Sequence, residues 1–378
     1  MTGRRVLWVT ERYPPAKGGM AVSCARQVRG LRRRGVIVDV LTMERGAAPL
    51  LIEPRDNGAD LRVGRDLVDA MGPNLAWTTV AERHAKEPYV CTVGFGASWA
   101  GFIAATFGAW LNAGCAVLIR GNDLDRDWFL PRRGGWVREA LSRARAVGAV
   151  SPEKANRVAC LYPGKPVRWT PNGIDAARWR LLPADETRRD EIRALLQAGS
   201  RRVVGLFGDL KAKKRVTLWL EAVRDAGLLD QLALLIVGQV DSLSARILDD
   251  PALAPPNVRI PFSPPAELAA LYAACDFVAL PSSFDGMPNV LLETMACGVP
   301  PIASNAGAMG QIVTDGETGF LFPAENREAA ALATQRALAL SRDEARAMGH
   351  RAHQAVATRF TLDREIEALL ELLTLASA

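Results

Sequence analysis

Asp285 and Glu293 stand with seven residues between them in the segment Ser283-Phe284-Asp285-Gly286-Met287-Pro288-Asn289-Val290-Leu291-Leu292-Glu293-Thr294-Met295-Ala296-Cys297-Gly298-Val299-Pro300. The pattern predicts a short loop feeding a helix. Pro288 or Asn289 suits the first helical turn, where proline loses no needed N–H and asparagine can cap. Gly298 suits the left-handed stop position, and Pro300 and Pro301 prevent continuation. A loop opening onto a helix N-terminus aims N–H groups and the positive end of a dipole at one point, which makes an anion site. Carboxylates beside such a site are not phosphate ligands. They can accept hydrogen bonds from sugar hydroxyls, and a phosphate held next to a polyol is a nucleotide sugar.

Cations mark a second position. Lys211, Lys213, Lys214 and Arg215 follow an expected strand and Gly208, at the start of a helix running through Leu218, Ala222 and Val223. Positive charge is unfavourable at a helix N-terminus unless an anion visits, so a lysine here reads as a ligand of phosphate already held by backbone N–H groups. Gly18 and Gly19 close the loop between the first strand and a basic helix, where adjacent glycines let the backbone approach a ligand. An ordinary β–α turn accounts for them equally. Arg120-Gly121-Asn122-Asp123 follows another strand, which places Asn122 or Asp123 to orient an acceptor, or simply to cap.

Together with Pro14-Pro15-Ala16-Lys17-Gly18-Gly19, Pro171-Asn172-Gly173-Ile174-Asp175, Gly208-Asp209-Leu210-Lys211-Ala212-Lys213-Lys214 and Asp315-Gly316-Glu317-Thr318-Gly319-Phe320, these features resemble the retaining glycosyltransferases of family 4 and their carboxylate–seven–carboxylate motif. The likeness extends over most of the chain. It implies the GT-B fold, an α/β architecture of two Rossmann-like doubly wound domains facing across a cleft. By the same resemblance Lys214 matches the lysine that binds the donor diphosphate, and Glu293 accepts hydrogen bonds from the ribose hydroxyls. The Gly18–Gly19 loop then covers diphosphate and acceptor, and Gly286, Met287, Asn289 and Val290 offer backbone N–H groups to sugar and phosphate.

This chain departs from the family at several points. Asp285 stands where glutamate is usual, which keeps the charge but shortens the reach by one methylene. It reads as a donor-sugar contact first and a catalytic group second. Asp209 stands where arginine is frequent, leaving Lys211 as the second cation, and Gln311 stands where glutamate is frequent. The family often has histidine or aspartate near 120–123, and none of His84, His350 and His353 falls there. Pro261 and Phe262, after a strand, are candidates for the base pocket.

The implied chemistry is transfer of a hexosyl group with retention at the anomeric carbon, with Lys214, Asp285, Asn122 and Asp123 as the candidate catalytic residues. A leaving phosphate oxygen can take the acceptor's proton on the same face, so no dedicated base, cofactor or metal is required. Asp123-Leu124-Asp125 imitates the metal motif of the other glycosyltransferase fold, but the GT-B reading argues against a metal there. The expected donor is a UDP- or GDP-sugar. The expected acceptor is a glycan or lipid-linked sugar of cell-surface polysaccharide or glycolipid synthesis.

Elements must bring these residues together, and 378 residues suffice for two α/β domains. Apolar runs at 5–10, 36–42, 89–93, 115–119, 146–150 and 167–170 predict buried strands with amphipathic helices between several of them, as over 20–34. A second alternation begins at 203–207 and continues through 232–237, 258–260, 277–280 and 301–303. The expected domains are 1–182 for the acceptor and 200–360 for the donor, joined by a connector around 176–200. A last helix, within 361–378, is expected to pack back on the first domain. Doubly wound sheets bind ligands at strand C-terminal ends.

Other classes fit poorly. Six scattered cysteines without a Cys-x-x-Cys pair, and three histidines, give no zinc spacing and suit reduced thiols in the cytoplasm. Val6–Thr10 is too short for a secretory signal core. The charge-free run Val93–Ile119 is long enough to span a bilayer, but Asn112-Ala113-Gly114 breaks it into a helix over 97–111 and a strand. No Gly-x-Gly-x-x-Gly follows the first strand, which argues against a dinucleotide enzyme. Residues 1–190 carry 30 Lys+Arg against 19 Asp+Glu, whereas 191–378 carry 17 against 22. A first half at net +11, with Arg26, Arg29, Arg33 and Arg34 on one helix and Trp128, Phe129, Arg132, Arg133 and Trp136 mixing aromatics with cations, suits peripheral contact with an anionic membrane face. Solvated helix faces explain the same residues, and no nucleic-acid motif is present. The alternatives carried forward are a non-catalytic sugar-nucleotide binder and a sugar-nucleotide epimerase or hydrolase on the same fold.

Overall fold

Near-continuous apolar runs bury on both faces of a parallel sheet, and two such sheets organise the chain. The computed structural model describes residues 1–44, 49–64 and 71–378. One unit comprises Met1–Asn172 with Leu362–Ala378, the other Gly173–Thr361.

The first unit's strands are β1 (Arg5–Thr10), β2 (Ile37–Glu44), β3 (Leu50–Arg55), β4 (Gly58–Gly64), β5 (Tyr89–Phe95), β6 (Gly114–Ile119), β7 (Ala146–Ala149) and β8 (Val167–Trp169). They lie in the order β3-β4-β2-β1-β5-β6-β7-β8, parallel except for the β3–β4 hairpin. That hairpin turns through Asp56 and Asn57, with Asn57 at φ 56° and Gly58, the first residue of β4, at φ 134°, left-handed values that asparagine and glycine tolerate best. Helices Met71–Lys86, Trp99–Trp110 and Pro131–Arg143 cover one sheet face, where Val80, Phe107, Val117 and Leu141 are among the core residues. The charge-free run thus resolves into β5, a buried helix and β6. No helix among the described residues is long and apolar enough to cross a membrane.

Helix Gly19–Arg33 and the C-terminal helix Leu362–Ser377 cover the other face, with Trp8, Val28, Leu31, Leu118, Leu369 and Leu373 in their shared core. They touch closely at Gly30, where a Cβ would lie 2.3 Å from Ile366 Cδ1. One charged clamp joins them. Glu365, 1% exposed, accepts from Arg26 Nε and Nη2 at 2.7 and 2.9 Å and from Gln27 Nε2 at 2.8 Å. Arg34 pairs with Asp363 at 2.7 Å. Two of the four arginines expected on a solvent-facing basic surface are therefore paired with the last helix.

The second unit's strands are β9 (Arg202–Leu210), β10 (Leu232–Val240), β11 (Asn257–Ile260), β12 (Phe277–Leu280), β13 (Pro301–Ser304) and β14 (Phe320–Phe322). All pairings are parallel, in the order β11-β10-β9-β12-β13-β14. This is the doubly wound order 3-2-1-4-5-6. The connector is part of this unit. Helix Pro183–Leu195 is held by Arg193, which donates to the Ala274 carbonyl at 2.8 Å and pairs with Asp276 at 3.3 Å. The chain accordingly changes unit at Asn172–Gly173 rather than after residue 182.

Removing one partner of a buried ion pair strands the other, so Glu365→Ala is expected to destabilise the first unit by roughly 3 kcal/mol. Urea unfolding followed by tryptophan fluorescence reads this as a lower midpoint; an unchanged midpoint removes the clamp from the account of the fold.

Candidate functional site

Strand order in the second sheet reverses between β9 and β12, and the C-terminal ends of strands at such a reversal are the position where doubly wound folds take ligands. The loops leaving these two strands carry the predicted residues. After β9 the chain turns through a short 3-10 segment, Ala212–Lys214, and Arg215 takes a left-handed φ of 52°. After β12 it runs through Pro281–Pro288 into helix Asn289–Ala296, anchored by the buried Met287, Leu291, Leu292 and Met295.

The two loops meet in an ion pair. Lys214 Nζ lies 2.6 Å from Asp285 Oδ2, while Asp285 Oδ1 accepts from the Gly286 N–H at 2.9 Å. Burial alone pushes the Asp285 carboxyl up. The ammonium groups of Lys214 and Lys213, with the hydrogen bonds from Lys214 and Gly286, outweigh it and hold the carboxyl below its ordinary range. Lys213 also sits 5.4 Å over the Phe284 ring. Lys211, the expected second cation, is exposed and pairs with Asp209 at 2.6 Å, while Lys213 is the lysine beside Lys214 that acts on Asp285.

Two glycines allow this close assembly. Gly208, at φ 106°, lies within β9, two residues before its end at Leu210, its would-be Cβ 4.0 Å from Val290 Cγ2. Gly307 lies on the Asp285 loop, where a Cβ would stand 2.2 Å from the Asp285 carbonyl oxygen. The next residue, Ala308, donates its N–H to the Gly286 carbonyl at 2.8 Å. The loop that drew attention through Gln311 thus contributes through Gly307. Gln311 is exposed, and its carbonyl accepts from Arg359.

Glu293 sits one turn along the helix from Asn289, half-buried, and its Oε2 accepts from the Tyr272 hydroxyl at 2.8 Å. Tyr272 was not among the expected residues. Pro261 and Phe262 follow β11 and are exposed.

In the first unit the equivalent reversal falls between β1 and β5. Gly18, at φ 112°, precedes helix Gly19–Arg33, whose start has no side-chain cap and no acidic residue in its first turn. Glu11 and Ser98, from the loops after β1 and β5, are joined at 2.9 Å. Asp123 lies in the segment after β6. It is buried, and its two oxygens accept from the Ala97 and Arg120 N–H groups at 2.6 and 2.7 Å. Its carboxylate thereby ties the loops after β5 and β6 together. Asn122 opens the short helix Asn122–Asp125 and is half-buried. Asp125, the other half of the apparent metal motif, is held by Lys154 at 2.8 Å and Arg157 at 3.2 Å. Arg120 lies 4.8 Å over the Phe95 ring and donates to Asn172, and burial lowers its guanidinium to about 10.

Comparison with known proteins matches both units. Residues 17–178 fit the family model described as Glycosyltransferase Family 4, and residues 187–355 that described as Glycosyl transferases group 1. A D-inositol 3-phosphate glycosyltransferase of Actinosynnema mirum is 31% identical over 251 residues, covering 61% of this chain and 58% of that protein. The chain thus spans little more than half the length of that relative. A GDP-mannose-dependent alpha-(1-6)-phosphatidylinositol monomannoside mannosyltransferase of Mycobacterium tuberculosis is 27% identical over 383 residues, 95% of each chain. Among solved structures, sucrose-phosphate synthase of Thermosynechococcus elongatus superposes with a TM-score of 0.77 at 19% identity, covering 98% of both chains. HepE of Anabaena, in complex with UDP and glucose, gives 0.79 at 18%, covering 98% and 99%. At these identities the structural likeness is one of fold.

The depressed Asp285 carboxyl sets a pH dependence. Its folded pKa lies below the unfolded value, so its contribution to stability is full above the ordinary aspartate range (about 3.9) and is lost as pH falls below it. Wild type should exceed Asp285→Asn in denaturant stability at neutral pH, with the gap closing only on strong acidification. A gap that is constant from neutral to strongly acidic pH rules out the charge of Asp285 as its source.

Proposed function

The chain belongs to the glycosyltransferases of family 4 and group 1, and on that premise we propose that it moves a hexosyl group from a nucleoside-diphosphate sugar to a hydroxyl acceptor, with retention and without a metal. The observation that carries the proposal is the Lys214–Asp285 contact at 2.6 Å at the strand-order reversal, with Lys213 beside it and Glu293 on the adjoining helix.

Each residue has a role in this reading. The leaving diphosphate gains negative charge as the glycosidic bond breaks. Lys214 and the N–H groups at the start of helix Asn289–Ala296 stabilise that charge, with donors already oriented before reaction. Asp285, fixed by Lys214 and the Gly286 N–H, accepts from hydroxyls of the donor sugar, and Glu293 accepts from the ribose. The acceptor's proton passes to the departing phosphate oxygen. Acceptor contacts are assigned to the first unit, at Asn122 and the Gly18–Gly19 turn.

A UDP- or GDP-sugar is proposed as donor, and a sugar or lipid-linked sugar of glycolipid or cell-surface polysaccharide synthesis as acceptor. The GDP-mannose and phosphatidylinositol mannoside in the name of the mycobacterial relative support that choice. Peripheral attachment to the inner membrane face is proposed through Phe129, 75% exposed, and Leu130, 41% exposed, with exposed Arg132 stacked 5.0 Å over Trp136.

Lys214→Ala should lower kcat by about a hundred- to a thousand-fold, as for loss of one oxyanion donor, when sugar transfer from the donor is followed directly; near-normal turnover rejects the mechanism. In flotation with anionic vesicles the protein should bind in a salt-sensitive way and Phe129→Ser with Arg132→Ser should release it. Wild type that stays with the soluble fraction rejects the membrane contact alone.

A further inference from the structure

Glu293 is held from behind. Tyr272 lies at the end of helix Pro265–Ala273 and is 1% exposed. Its ring stacks on Phe207 of β9 with centroids 4.1 Å apart, and Trp179 meets it edge-on at 5.8 Å. The hydroxyl, its sole polar atom, donates to Glu293 Oε2 at 2.8 Å. Phenylalanine would make the same ring contacts without the desolvation of a buried hydroxyl, so packing alone does not account for tyrosine here. Burial and the Glu293 charge hold the phenol well above its usual pKa, which keeps it a donor.

A glutamate on a half-exposed helix face samples several rotamers. One that must grip two hydroxyls loses that freedom on binding unless it has lost it on folding. A ring wedged between β9 and Trp179 provides a rigid donor for the purpose, the kind of support that precise sites require.

We propose that Tyr272 is the positioning residue for ribose recognition: it fixes one oxygen of Glu293 so that the carboxylate meets the vicinal hydroxyls of a nucleoside diphosphate. The inference rests on the reading of Glu293 as the ribose ligand. Tyr272 itself touches no substrate, and its effect is specific to the ribose hydroxyls.

Calorimetry with UDP and GDP, each beside its 2′,3′-dideoxy analogue, tests this on wild type, Glu293→Ala and Tyr272→Phe. Wild type should prefer the ribose form, Glu293→Ala should lose the preference, and Tyr272→Phe should lose most of it. A misplaced hydrogen bond to a charged group amounts to about ten-fold in ribonucleotide affinity, with the dideoxy affinity unchanged. That unchanged value also certifies that the variant is folded. Preference lost in Glu293→Ala but kept in Tyr272→Phe overturns the tyrosine's role and leaves the donor reading standing. Equal loss of both nucleotide forms in Tyr272→Phe assigns the residue to general packing and overturns the inference as well. Wild type that binds neither nucleotide, or does not distinguish the sugars, removes the donor reading itself and the inference with it.

Discussion

Parallel strands send every following loop to the same edge of a sheet, and the second unit depends on that constraint. Its strand order reverses between β9 and β12, the place where doubly wound sheets take ligands, and the loops leaving these neighbours meet there through Lys214 and Asp285. One loop delivers Lys213 and Lys214, the other Asp285 and the start of helix Asn289–Ala296. Residues far apart in sequence converge because the winding of the sheet allows no other place for them.

Holding charge there has a cost that the loops must offset. A carboxylate drawn out of water favours its neutral form, yet Asp285 is kept ionised by two ammonium groups and a backbone N–H. A group that must stay an acceptor is thereby stopped from capturing a proton. The same arrangement keeps Lys214 directed at one point instead of wandering in solvent, and Gly307 permits the third loop to brace the Asp285 backbone from outside. Comparable bracing recurs in the first unit, where Asp123 secures two loops through their N–H groups.

Much of this was legible in the sequence because it depends on local pattern. Apolar runs located most strands of both sheets, and the loop-to-helix signals around Pro288 and Gly298 located the helix that carries Glu293. Short or strongly patterned exceptions escaped. β14 has three residues, too few for a periodic signal, and β3 and β4, with charged residues among their apolar ones, meet at an Asp56-Asn57 turn. Tyr272 belongs to an alanine-rich helix with no motif around it, and its partner is fixed only by tertiary packing. Lys211 and Lys213 are equivalent on paper. Only the 3-10 turn decides which of them faces Asp285 and which pairs with Asp209. The two N–H groups that Asp123 accepts from, at Ala97 and Arg120, come together only in the folded chain.

The C-terminal helix has a consequence for the order in which the protein comes into being. Ile366, Leu369, Leu372, Leu373 and Ala376 complete one core of the first unit, yet in the chain they follow the whole of the second. The second unit is one unbroken stretch, Gly173–Thr361, and can close as soon as it is made. The first unit emerges earlier but finishes later, with Val6, Trp8 and Leu118 lacking part of their cover until residues 362–378 have been added. Chains that expose apolar sheet while waiting are those that aggregate or recruit chaperones. In the growing chain the first unit thus stays incomplete until every residue of the second has been made.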